Sequence, residues 1–121
     1  MKSHKDLDVW RLAVDLAEDV YEVSKSFPRD EQFGMTSQMR RASVSIASNI
    51  AEGAARNGQR EFGQFLYIAL GSASELETQL EIARRVSLIG EGDWTRLDAS
   101  LARISQMLRG LIRSVKSDLE T

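Results

Sequence analysis

The sequence predicts an all-α protein folded as an antiparallel four-helix bundle with up-down-up-down topology. Apolar residues recur at intervals of three and four along most of the 121 residues, which is the period of an amphipathic helix. One proline and eight glycines provide few points at which helices are broken. The links between the long apolar repeats are short, which favours neighbouring helices that run in opposite directions. We therefore predict a single domain over residues 1–121.

The first helix is predicted over residues 6–26 and ends before Phe27-Pro28, because proline disfavours helical geometry in the residue that precedes it. Its apolar positions form two adjacent sets that together cover roughly 160° of the helix, whereas packing on one core needs roughly 100°. This excess of apolar surface predicts a homo-oligomer. The sets are Leu7, Trp10, Val14, Ala17 and Tyr21, and Val9, Ala13, Leu16, Val20 and Val23.

The second helix is predicted over residues 36–57, with Gly34 and Thr36 as entry residues. Small side chains on one stripe let helix axes approach closely, so we expect tight packing, with Gly53 relieving crowding. The small stripe is Ser43, Ala47, Ala51, Ala54 and Gly58, and the stripe beside it is Met35, Met39, Ala42, Ile46, Asn49 and Gly53.

The third and fourth helices are predicted over residues 59–89 and 93–119. Gly58 and Glu61 resemble a weak capping box at the start of the third helix, and Asp93 is the predicted N-cap of the fourth. Gly90-Glu91-Gly92 is the predicted link. The apolar seam of the third helix is Phe62, Leu66, Ala69, Ala73, Leu76, Leu80 and Ala83; that of the fourth is Trp94, Leu97, Leu101, Ile104, Leu108, Leu111 and Val115.

The composition argues against conventional catalysis. The chain has no cysteine and one histidine, His4, so it cannot form a thiolate metal site, a Ser-His-Asp triad or the paired Glu-x-x-His motifs of a di-iron bundle. We predict a protein that is not an enzyme, with no catalytic residue, metal, cofactor or small-molecule substrate. The longest apolar run, Phe65 to Leu70, is too short to span a bilayer, and the start of the chain lacks a signal-peptide pattern. We expect a cytoplasmic protein with no membrane partner.

The charges are unevenly distributed although the formal net charge is only −2. Acidic residues dominate from Asp6 to Val23, and basic residues dominate from Thr95 to Lys116. Arginines on helix surfaces bind phosphates well, so the basic face of the fourth helix is a candidate RNA contact. The alternative is a solvated face, or one complementary to the acidic first helix of a neighbouring copy. The candidate nucleic-acid-binding residues are Arg40, Arg56, Arg60, Arg109, Arg113 and Lys116.

A second polar set is predicted to be structural. Adjacent arginines point about 100° apart on a helix, so Arg40 and Arg41 cannot share one face and at least one of them is expected to pair within the protein. Asn49 lies among apolar positions, where a buried amide fixes register or oligomeric state. The predicted structural network consists of Arg41, Asn49, Glu52 and Glu75.

Three segments in the middle of the chain carry a family resemblance. SQMRRA, SNIAEG and FLYIALGSASEL occur in order, and together they resemble the 23S ribosomal RNA intervening-sequence proteins over about Leu7 to Ile89. That family is similar to the accessory variability determinant proteins of diversity-generating retroelements. The resemblance implies a homopentameric bundle, and the retroelement relatives associate with a reverse transcriptase and with nucleic acid. Members often have proline where Ala47 stands and serine where Gly58 stands.

The leading functional prediction is a non-enzymatic homo-oligomeric scaffold or adaptor whose arginine-bearing helix faces bind RNA or a nucleoprotein partner electrostatically. The alternative is a structural oligomer that binds only protein and whose charges serve solubility and contacts between copies.

Overall fold

The computed structural model describes residues 3–120 and contains four long helices within that range. They are α1 (Asp8–Ser24), α2 (Met35–Ala54), α3 (Gln59–Arg85) and α4 (Glu91–Glu120), and short 3-10 turns cover His4–Asp6 and Arg29–Glu31. Each helix packs against the next, and α4 packs against α1, which closes the bundle. The predicted all-α four-helix bundle is confirmed.

Contacts between the ends of the helices show that neighbouring helices run antiparallel. Ser24 at the end of α1 meets Arg40 in the second turn of α2, and Arg84 at the end of α3 meets Glu91 at the start of α4. The α1–α2 and α3–α4 links therefore share one end of the bundle. The α2–α3 link lies at the other end, beside the C-terminal part of α4.

A single apolar core runs along the bundle axis, and all seven predicted seam residues of α3 are buried. On α1, the set that includes Leu16 is buried, whereas Val14 and Tyr21 from the other set are exposed. The seam of α4 differs from the prediction near its end, because Ile112 is buried and Leu111 is only partly buried. The step from Leu108 to Ile112 is four residues rather than three, which turns Leu111 toward the edge of the core.

The close approach of α2 and α3 is visible at Gly53. A Cβ atom placed on Gly53 would lie 2.6 Å from the Cβ of Phe65 and 3.3 Å from the carbonyl oxygen of Phe62. Neither of these atoms can move away by side-chain rotation. Gly53 therefore relieves crowding, as the sequence predicts.

Several predicted helix ends and caps need correction. α1 covers Asp8–Ser24 and is shorter than 6–26 at both ends, with a 3-10 turn at His4–Asp6 before it, and α2 ends at Ala54 instead of residue 57. Gly58, which precedes α3, has φ 145° and no side chain that could cap the helix. Glu61 lies near Arg56, and the predicted capping box does not form. α4 begins at Glu91, so Asp93 is in its first turn, where it pairs with Arg96.

The end of α3 at Arg85, earlier than predicted, follows from a Schellman motif. Ser87 has φ 64°, the Leu88 amide donates to the carbonyl of Ala83 at 2.8 Å, and the Ser87 amide donates to that of Arg84 at 3.1 Å. These two bonds satisfy carbonyls that the helix end would leave free. The residue in the left-handed conformation is a serine, although glycine adopts this conformation with much less strain.

Replacing Ser87 by glycine is expected to stabilise the bundle by about 0.5–1 kcal/mol, because the left-handed conformation strains a residue that has a Cβ atom. Thermal unfolding at fixed protein concentration measures the effect as a Tm higher by a few degrees. Ser74→Gly is the matched control, since Ser74 is exposed inside α3 and glycine there costs about 0.5 kcal/mol. A lower Tm for Ser87→Gly would contradict the argument.

Candidate nucleic-acid interface

Five residues form a strip on the outer surface between α3 and α4, here called the α3–α4 basic strip. Its members are Arg60 and Tyr67 of α3 and Arg109, Arg113 and Lys116 of α4. Arg60 and Tyr67 are seven residues apart, which puts them on the same face two turns apart. The α4 residues follow spacings of four and three and also share a face. The Lys116 ammonium, 5.3 Å from the centroid of the Tyr67 ring, joins the two helices.

The cations of the strip carry charge that the chain does not neutralise by ion pairing. Within residues 3–120, no acidic oxygen lies within 4.0 Å of the charged groups of Arg60, Arg109, Arg113 or Lys116, and all four residues are exposed. Hydrogen bonding to the Tyr67 side chain, and to a smaller extent the negative charge of Glu120, raise the pKa of Lys116 above its ordinary value. The strip can therefore bind phosphate oxygens without first breaking an ion pair.

Arg56 lies at the same end of the bundle but is already paired. Its guanidinium is 2.7 Å from the Glu52 carboxylate and 3.9 Å from that of Glu61, and it lies 5.0 Å from the centroid of the Phe65 ring. These contacts hold the last turn of α2 beside the first turns of α3. Because two carboxylates already neutralise part of its charge, Arg56 is the weakest candidate for a phosphate contact at this end of the bundle.

Arg40 is at the opposite end of the bundle and contacts α1. Its guanidinium donates to the Ser24 hydroxyl at 2.8 Å and to the Tyr21 carbonyl at 3.4 Å, and it lies 4.5 Å from the centroid of the Tyr21 ring. A cation bound to carbonyls at a helix C-terminus also interacts favourably with the helix dipole. The structure thus gives Arg40 the internal contacts that the sequence analysis expected of Arg41.

The predicted structural network is not assembled as one unit. Arg41 and Glu75 line the same surface depression between α2 and α3, but their charged groups do not form an ion pair. Glu52 pairs with Arg56 instead. Asn49 is half-buried, and its amide donates to the Ser45 carbonyl at 2.8 Å and to the Ser45 hydroxyl at 3.0 Å.

The contact that crosses from α2 to α3 in this region is made by serines. The hydroxyl of Ser45 is 2.8 Å from that of Ser72. Ile50, one residue after Asn49, takes the core position instead. Asn49 therefore orients a serine that bridges two helices, rather than supplying a buried amide to the core.

Acidic residues are concentrated at the end of the bundle remote from the strip. Exposed Glu18 and Glu22 lie on the C-terminal part of α1, and exposed Glu77 and half-buried Asp98 line a depression between α3 and α4 together with Arg85. The charge of the chain is therefore unevenly distributed between the two ends of the bundle, although the formal net charge is only −2.

The sequence analysis did not single out Tyr67, although a signal for it was present. Its spacing of seven from Arg60 puts it on the same face as a candidate phosphate contact. Its pairing with Lys116 joins residues 49 positions apart, so that contact could not be found from spacing within one helix.

In residues 3–120, no three His, Cys, Asp or Glu side chains are grouped so that they could hold a metal ion. Over the same range, no helix combines the length and the apolar character that a bilayer crossing requires.

Comparison with known proteins identifies related sequences and folds. The family description "23S rRNA-intervening sequence protein" matches residues 5–110 of the chain. A crystal structure from Bacteroides thetaiotaomicron, of a protein of unknown function in the S23 ribosomal protein family, is similar with a TM-score of 0.78 and 25% identity. The match covers 86% of this chain and 97% of the other. No curated protein matches the sequence.

Proposed function

The chain belongs to the 23S rRNA-intervening sequence protein family, and on that premise we propose that it is a non-enzymatic, homo-oligomeric scaffold that contacts RNA through the α3–α4 basic strip. The observation that carries the proposal is the grouping of four exposed cations that lack ion-pair partners within residues 3–120. When a phosphate binds to a cation that has no ion-pair partner, counterions are released and no internal ion pair is broken. The binding free energy is therefore more favourable than for a paired cation.

The oligomeric part of the proposal is supported by exposed apolar side chains on two sides of the bundle. Val14 and Tyr21 of α1 are exposed on one side, and Ile68 and Ile82 lie on a shared face of α3 on another. Exposed apolar side chains that share a helix face gain free energy when a second copy covers them, which favours association. The pentamer and a reverse transcriptase partner remain predictions that rest on the family resemblance.

Titration of a labelled structured RNA at two salt concentrations tests the RNA contact. If four phosphates are neutralised, the affinity is expected to fall about 50- to 150-fold between 50 and 200 mM salt, from slopes of about −0.7 for each contact to a single strand and about −0.9 for each contact to a duplex. Light scattering on the same sample reports the mass of the assembly against 13.6 kDa for one chain. An intact oligomer that binds no RNA at the lower salt concentration would contradict the proposal and favour a scaffold that binds only protein.

A further inference from the structure

We propose that the α3–α4 basic strip recognises unpaired RNA nucleotides, with one base stacked on the ring of Tyr67 and the neighbouring phosphates held by the arginines. This inference rests on the proposed function and adds the class of RNA. The observation behind it is an exposed aromatic ring within a group of cations that form no ion pair in residues 3–120. Phosphate contacts alone bind any nucleic acid, whereas a ring that accepts a base selects strands whose bases are accessible.

The exposed side chain of Tyr67 is held in place at the centre of the strip. It is 48% exposed, and the Lys116 ammonium lies 5.3 Å from the centroid of its ring. Gly63, one turn before it, lets α4 approach, since a Cβ placed there would lie 3.2 Å from a methyl group of Val115. The ring is therefore oriented by α4 and still accessible to a ligand.

Gly71 leaves the ring uncovered on its C-terminal side. Side chains on an α-helix lean toward the N-terminus, so a residue four positions after Tyr67 would extend over it. Position 71 is glycine, and a Cβ placed there would lie within 4 Å of no described atom other than its chain neighbours and the local backbone of α3. Packing within the chain does not require a glycine at this position, whereas stacking of a base on Tyr67 requires the space.

Charge complementarity favours RNA over a second copy of the chain as the occupant. Arg60 and Arg113 belong to the same strip as Tyr67 and have no ion-pair partner within residues 3–120, so a second copy would have to bury or neutralise their charges. A phosphate backbone supplies the matching charge, and the bases of a single strand supply the apolar face. A-form duplex RNA offers phosphates and 2′-hydroxyls along its sides but keeps its bases stacked inside.

The test compares an unstructured RNA oligonucleotide with the duplex formed by adding its complement. Wild-type protein is expected to prefer the single strand. Tyr67→Ala is expected to weaken single-strand binding by about 5- to 150-fold, the usual effect of removing one stacking partner, and to leave duplex binding unchanged. Tyr67→Phe is expected to keep the preference, because stacking uses the ring. The salt slope is expected to be unchanged in Tyr67→Ala, since stacking releases no counterions.

Phe33→Ala is the matched control, because Phe33 is 90% exposed and lines a depression with two cations, Arg40 and Arg41, but at the other end of the bundle. It is expected to bind both RNAs as the wild type does. A second variant, Gly71→Leu, covers Tyr67 without removing it and is expected to weaken single-strand binding selectively.

Three outcomes would overturn the inference. They are equal affinity of the wild type for both RNAs, an equal loss for both in Tyr67→Ala, and a change in the mass of the Tyr67→Ala assembly, which would place Tyr67 between copies. In each case RNA binding that depends on Arg109 and Arg113 would still leave the proposed function standing. If the wild type binds neither RNA, the proposed function itself fails.

Discussion

Gly53→Ala is expected to destabilise the protein by about 1–2 kcal/mol, whereas Gly71→Ala is expected to stabilise it by about 0.5–1 kcal/mol. Both glycines are inside helices, where alanine is better by about 1 kcal/mol when space allows. At Gly53 the added atom would lie 2.6 Å from the Cβ of Phe65, so α2 and α3 must move apart at an overpacking cost of about 1–3 kcal/mol. At Gly71 the added atom would meet no described side chain within 4 Å, so nothing has to move.

Urea or thermal unfolding measures both variants at one fixed protein concentration, because association makes the apparent stability of an oligomer depend on concentration. The pair controls for the substitution itself, since the same atoms are added in each case. A Gly53→Ala protein as stable as the wild type would show that α2 and α3 can separate at no cost. The close approach would then not be a determinant of the fold.

The fold could be predicted because the spacing of apolar residues is a local property of the sequence, and the helices of the bundle keep that spacing almost unchanged. The seam of α3 is an example, since every predicted position from Phe62 to Ala83 is buried. Helix ends were less predictable because they depend on single backbone conformations. α3 ends at Arg85 because Ser87 adopts φ 64°, which is unusual for a serine. The spacing of apolar residues does not indicate such a conformation.

The polar contacts were the least predictable, because each depends on how two helices are aligned. Arg40 and Arg41 are indistinguishable by residue type, and only the placement of α1 against α2 shows that Arg40 reaches Ser24 while Arg41 is left facing outward. The common face of Arg109, Arg113 and Lys116 could be predicted, because it lies within one helix. That this face continues onto Arg60 and Tyr67 could not be predicted, because it depends on how α3 is aligned with α4.

The double variant Arg109→Glu with Arg113→Glu is expected to reduce RNA affinity more than 100-fold at low salt and to flatten the salt dependence. Two phosphate contacts are lost, which removes about 1.4 from the salt slope on a single strand, and two new negative charges repel the backbone. Both side chains are exposed and without ion pairs in the described part of the chain, so the expected change in unfolding free energy is within about 0.5 kcal/mol.

A matched control separates the position of the charge from its total. Arg29→Glu with Arg41→Glu makes the same change in net charge at exposed residues that form no ion pair with any other described residue, in the half of the bundle that holds the α1–α2 link. If the strip binds RNA, the control loses far less affinity than the Arg109 and Arg113 variant, because screening limits the reach of each charge to about 10 Å at 0.1 M salt. Equal losses in the two variants would mean that overall charge governs binding, and the α3–α4 basic strip would then not be the RNA-binding surface.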